Sequence, residues 1–112
     1  FRYRASRDGR GYAVAGGVAA AIKNCIAELD PTREVPVQRA DSLSDCRKML
    51  ALAKAGKTKG YLLEGMACPG GCVGGPGTLM PIPKAGEEVN QFASQSPYQT
   101  SLANESVLPD KD

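Results

Sequence analysis

The sequence predicts an α/β fold: a short parallel sheet with flanking helices, built on one βαβ unit. Three observations carry that reading. Two short β-prone runs, residues 34–39 (EVPVQR) and 59–64 (KGYLLE), bracket a helical stretch. That stretch opens on a serine suited to an N-cap, Ser42, and stops at a glycine, Gly56. The order strand, helix, strand favours a right-handed crossover between parallel strands.

Residues 1–12 are charged and contain glycine, so they read as an irregular lead-in. Arg2, Arg4, Arg7 and Arg10 there read as a solvated basic group rather than a partner surface. A helix is predicted from Val14 to Leu29. Val14, Val18, Ile22, Cys25, Ile26 and Leu29 recur at helical spacing and form one apolar stripe. Gly16 and Gly17 are poor in a helix interior, so they mark a helix start or the close approach of another backbone. Asp30-Pro31 ends the helix, because proline pushes the preceding residue out of the α region.

The run from Glu34 to Arg39 is the first strand, with Pro36 weakening it or placing it at an edge. Ser42 and Asp45 form a capping-box variant. The second helix runs to about Ala55, with Leu43, Cys46, Leu50 and Ala53 on one face. The second strand covers Lys59 to Glu64. Residues 78–83 are extended, and a third helix spans Lys84 to Gln95 with Val89, Phe92 and Ala93 inward. The domain reading is a lobe over residues 1–95 and a loosely structured tail over 96–112, with a turn near Thr100 to Glu105.

Composition narrows the function. Net charge is only +2, which gives no polyelectrolyte reason to propose nucleic acid or acidic membranes. Histidine is absent, which excludes a Ser-His-Asp triad, a Cys-His dyad and any His-ligated metal within this chain. Aromatic residues make up 5% and there is no Trp, so base-stacking platforms are not expected. No apolar run approaches the roughly 18–20 residues of a membrane span. Leu, Ile, Val and Phe total 21 of 112 residues, a thin supply for a core. With a start at Phe1, this suggests a fragment whose neighbours supply part of the core.

The chemistry-bearing segment is GMACPGGCVGGPG, residues 65–77, with six of the 13 glycines. It leaves the second predicted strand at its carboxyl end, where open α/β sheets place their ligands. Cys68 and Cys72 stand four residues apart around Pro69, Gly70 and Gly71. Proline fixes one φ, and the glycines allow φ above zero, so the chain can fold tightly around an object. Bare α-carbons also let backbone N–H groups approach it, as at iron–sulfur centres. Other readings stay open: incidental cysteines in a flexible turn, or a small disulfide. A closed zinc site would need two further ligands, and Cys25 and Cys46 lie within predicted helices, where cysteine is a small core residue. C-x-x-x-C is not the thioredoxin C-x-x-C motif, and no third cysteine follows Cys72, as radical adenosylmethionine enzymes require. Mixed charge and helical cysteines suggest a reducing, cytoplasmic setting. Glu64 reads as a hydrogen-bonding partner of the loop backbone rather than a proton-path residue. Gly16-Gly17 lacks the pattern of a phosphate loop.

Residues 64–75, EGMACPGGCVGG, resemble the third signature motif of iron-only ([FeFe]) hydrogenases. Residues 11–25, GYAVAGGVAAAIKNC, are similar to that family's Gly-Gly-Val helix, and residues 42–64 to the helix and strand leading into the motif. The resemblance covers residues 11–95 and is densest in the central dozen. It implies one lobe of the catalytic domain, from the C-terminal part of the large subunit. It also implies a [4Fe–4S] cluster joined through a cysteine sulfur to a di-iron unit, where protons and electrons combine reversibly to give hydrogen. Cys68 would ligate the cluster, and Cys72 would ligate and bridge it. Met66 would pack beside the di-iron unit, and Gly70 and Gly71 would give clearance. The implied partners are the preceding part of the parent chain and a redox protein such as ferredoxin, in an anaerobe's cytoplasm.

Neither of the family's other cysteine motifs, TSCCP and MPC, is present, so no catalytic set is complete here. Gly74-Gly75-Pro76-Gly77-Thr78 replaces the usual GGGQP, which resembles the sensory branch. The alternative function is therefore a hydrogen- or redox-sensing module, or a cluster-binding relative without fast turnover.

Overall fold

The computed structural model describes residues 5–104. Its elements are helix α1 (Arg7–Arg10), a 3₁₀ turn (Gly11–Ala13), helix α2 (Gly17–Leu29), strand β1 (Val37–Ala40), helix α3 (Leu43–Lys54), strand β2 (Leu62–Gly65), a second 3₁₀ turn (Cys72–Gly74) and helix α4 (Ile82–Ser94). β1 and β2 pair in parallel, with Val37 opposite Leu62 and Ala40 opposite Gly65. α3 is the crossover between them, so the α/β unit expected from the sequence is present.

The best-signalled element is α3. The Ser42 hydroxyl accepts the Asp45 N–H at 3.2 Å. At the other end Gly56, at φ +79°, donates to Ala53 O, and Lys57 donates to Leu52 O. That pair of bonds is the Schellman closure. Asp30 closes α2, with its N–H on Ile26 O at 2.8 Å. Hydrogen bonds from the Thr32 hydroxyl and N–H, with Arg33 nearby, hold its carboxyl below the ordinary aspartate range.

Several boundaries differ from expectation. The lead-in is not irregular: Ser6 caps α1 by accepting the Gly9 N–H at 3.0 Å. A four-residue helix shows no apolar period, so no sequence pattern signals it. Arg10 is not a solvated charge there. It donates to Phe92 O at 2.8 Å and lies 4.2 Å above the Phe92 ring. Arg2 and Arg4 lie outside the described residues.

α2 begins at Gly17 rather than Val14, because Gly16 adopts a left-handed φ of +88°. Gly17 is also a close approach: a Cβ there would stand 2.0 Å from Gly11 O. β1 starts only after Pro36, whose carbonyl accepts the Leu62 N–H. β2 starts after a turn at Thr58–Tyr61. α4 starts at Ile82, two residues early, because Pro83 in its first turn lacks only an N–H that the helix leaves unbonded anyway.

The core is small and built from alanine. Its buried apolar members are Ala19, Ala21, Ala40, Met49, Val73 and Ala93. The expected α2 stripe is corrected accordingly: Ile22 is 40% exposed and Leu29 76%. Leu43, Leu50 and Phe92 are exposed as well. Cys25 and Cys46 are half-buried rather than core. Residues 96–104 lack apolar anchors but carry polar ones. Ser96 Oγ donates to Ala5 O at 2.7 Å, Tyr98 O accepts the Arg7 N–H at 2.7 Å, and the Thr100 hydroxyl donates to Glu28. Ser96, Thr100 and Asn104 are buried. The remainder of the expected tail, 105–112, lies outside the described residues.

Glu64, buried in β2, joins the sheet to α2. Its Oε2 accepts the Gly16 N–H at 2.8 Å, and its Oε1 accepts the Ala19 N–H at 2.9 Å. A carboxylate at the positive end of a helix satisfies N–H groups that have no intrahelical partner. The role is structural, as expected, but its partner is corrected: the carboxylate bonds the start of α2, not the backbone of the cysteine loop. Glu64→Gln sets an amide donor against one of these N–H groups and removes the charge. Its expected cost is about 1–3 kcal/mol in urea unfolding. Exposed Glu87→Gln is the control and stays within about 0.5 kcal/mol of the parent. Equal effects of the two substitutions would contradict the capping role.

Candidate metal centre

The cysteine loop leaves the carboxyl end of the parallel pair, where the Met66 N–H still donates to Ala40 O at 2.8 Å. The backbone then turns sharply. The Gly71 N–H donates to Cys68 O at 2.9 Å, with Gly70 at φ +81° and Gly71 at φ +92°. The 3₁₀ turn from Cys72 to Gly74 follows, closed by the Gly75 N–H on Cys72 O. Cys68 therefore precedes the bend and Cys72 ends it. Cys68 is half-buried, Cys72 is exposed, and none of the four cysteines is in a disulfide.

The bend is seated on the segment before α2. A Cβ on Gly71 would lie 2.5 Å from Ala15 N and 2.8 Å from Ala13 O. Gly70 is held at both ends of its backbone. Its carbonyl accepts the Ala15 N–H at 2.9 Å, and its N–H donates to Asp41 Oδ2 at 2.9 Å. Sequence reasoning assigned no role to Asp41 or Ala15. The available signal was Asp41's place just after β1, level with the end of β2 in a parallel pair.

The expectation for the loop's N–H groups needs correction. Those of Gly70, Gly71, Gly74 and Gly75 all donate to acceptors within the protein. These four glycines therefore shape and clear the site rather than supply donors to a bound object. Gly75 gives clearance directly: a Cβ there would come within 3.4 Å of Cys68 Sγ and 3.2 Å of Cys72 O. Met66 lines a cleft of about 200 Å³ with Val18, Ile22, Leu62 and Leu63.

The donor set fits part of a cluster site. Two thiols flank one bend with clearance beside a sulfur. Among the described residues, no three His, Cys, Asp or Glu side chains converge as a metal site. Cys46 is not brought in as a ligand; its Sγ lies 3.5 Å from Met66 O and 3.7 Å from Ala40 O, as a weak donor. A closed four-ligand zinc site therefore does not fit these residues. Cys68 and Cys72 are the two free thiols that this bend carries, fewer than a four-cysteine cluster requires.

Gly71 adopts φ +92° and ψ −163°, a region that only glycine occupies freely. Gly71→Ala should cost about 1–3 kcal/mol in backbone strain, with further loss from the clash at Ala15. Gly77 is also at positive φ, +86°, but a Cβ there meets nothing within 4 Å. Urea midpoints should fall further for Gly71→Ala than for Gly77→Ala. Matching midpoints would show that the seat on residues 13–15 carries no stability.

No curated protein matches this chain. The family model for the iron only hydrogenase large subunit, C-terminal domain, matches residues 2–76, two thirds of the sequence. The match begins and ends earlier than the span read from the motifs, and it contains the sheet, its crossover helix and the whole cysteine bend. The chain therefore belongs to the family of C-terminal domains found in the large subunits of iron-only hydrogenases.

Proposed function

We propose that this chain is one lobe of a hydrogenase catalytic domain and contributes Cys68 and Cys72 as two of the four cysteine ligands of a [4Fe–4S] cluster. In this reading Cys72 also bridges the cluster to a di-iron unit. The observation that carries the reading is the pinned bend. Two unbridged thiols flank a backbone turn held by Ala15, Asp41 and the glycine contacts, with Gly75 clearing space at Cys68. When bound, the cluster and its di-iron unit supply electron storage and the interconversion of protons and hydrogen. The chain's own residues hold the thiolates in place, and Met66 keeps an apolar wall near the loop.

Open surfaces favour a lobe within a larger assembly. Leu79 is fully exposed just beyond the loop, and Met80 and Ile82 are about 40% exposed. The parent chain would cover them and bring the two missing ligands. A ferredoxin-type protein would exchange electrons, and the setting would be cytoplasmic. No described helix is long and apolar enough to cross a membrane. A hydrogen-sensing module without fast turnover is the second reading, favoured by the Pro76-Gly77-Thr78 departure from the family loop. There Thr78 turns back to donate to Gly75 O at 2.9 Å.

The test uses the full-length protein. Cys68→Ser and Cys72→Ser should each strip iron and the cluster's electron paramagnetic resonance signal. Residues 1–112 alone, reconstituted with iron and sulfide, should show little stable cluster absorbance. Serine variants with full iron content, or a robust cluster on residues 1–112 alone, would refute the proposal.

A further inference from the structure

We infer that Asp41 is a positioning residue for the two cysteines, acting through the Gly70 N–H to fix the bend that presents them. The inference rests on the reading of Cys68 and Cys72 as cluster ligands. Ala40 is level with Gly65 in the parallel register, so Asp41 leaves the sheet beside the point where the cysteine loop leaves it. Its Oδ2 takes the Gly70 N–H at 2.9 Å. The Ala15 N–H donates to the Gly70 carbonyl at 2.9 Å. Gly70 lies two residues from each cysteine. A rotation there would swing one sulfur relative to the other, and glycine alone offers no steric resistance to it. Asp41 and Ala15 supply that resistance as hydrogen bonds to the two polar groups of Gly70.

A competing role for Asp41 is electrostatic support of α3, whose first residue is Leu43. That helix already has its cap in Ser42, which accepts the Asp45 N–H. The Asp41 carboxylate is committed to the loop instead. The two roles separate by substitution. Asp41→Asn keeps an oxygen acceptor for Gly70 and removes the charge. Asp41→Ala removes both.

Hydrogen exchange read by mass spectrometry on the full-length protein distinguishes them, using peptides spanning 66–75 and 43–54. In the native protein the Gly70 amide should exchange more slowly than in an unstructured chain. Asp41→Ala should speed it about tenfold, the loss expected for one hydrogen bond. Asp41→Asn should restore a rate close to native, and α3 peptides should not change. In cluster-loaded protein the paramagnetic resonance line shape should alter in Asp41→Ala and return in Asp41→Asn. An unprotected Gly70 amide in the native protein overturns the inference whatever the variants do. So does equal loop exchange in native and Asp41→Ala protein, or a uniform speeding in α3 by both variants. If the cysteine-to-serine variants keep their iron, the ligand reading fails instead, and the exchange result still judges the Asp41 clamp.

Discussion

The chain folds back on itself where residues 13–19 meet the end of β2 and the glycine bend, and the hydrogen bonds at that crossing hold the cysteine loop. The Glu64 carboxylate takes two N–H groups from the start of α2, and Gly70 O takes a third from Ala15. A buried carboxylate is tolerated there because each oxygen has a backbone donor and the helix end is electropositive. The glycines complete the arrangement by permitting contact. A side chain at Gly71 would collide with backbone across the crossing, and one at Gly17 with the Gly11 carbonyl of the preceding turn. Sheet, helix and loop thus share one junction, and the loop inherits its geometry from elements on either side.

This junction matters more because the apolar core is slight. Among the described residues, four of the six buried apolar ones are alanines, which bury little area each. The radius of gyration is 15.7 Å, above the roughly 13 Å of a compact domain this size. Polar ties take over part of the load, as between Ser96 and Ala5 and between Tyr98 and Arg7. Meanwhile Leu29, Leu43, Leu50 and Leu79 stand in the open. The described unit is thus held largely by directed bonds, with several of its larger apolar side chains uncovered.

Elements governed by short-range rules were legible in the sequence. Ser42 and Gly56 bounded α3, Asp30-Pro31 closed α2, and the strand–helix–strand order implied the parallel pair. The family motif marked the loop through a run of residues that rarely occur together. Burial on α2 was not legible, because it depends on which face the close approach at Gly17 turns inward. That choice favours Ala19 and Ala21 over Ile22 and Leu29. The role of Asp41 was hidden for a related reason. Its partner lies 29 positions away, and no periodicity links the two. The use of the loop's N–H groups was misjudged because glycine allows both inward and outward amides. Only the fold shows that those of Gly70, Gly71, Gly74 and Gly75 are already engaged.

If the bend works as proposed, folding alone aims two sulfurs at one centre. Phenylarsine oxide reads this out, because trivalent arsenic binds two thiols together and releases water. With Cys25→Ala and Cys46→Ala in place, the folded chain should take up one equivalent, protecting both remaining thiols from alkylation. It should also bind more tightly than the same chain unfolded in urea. Uptake no tighter in the folded chain than in the unfolded one would show that the bend does not preorganise the pair, and the cluster-ligand reading would lose its structural basis.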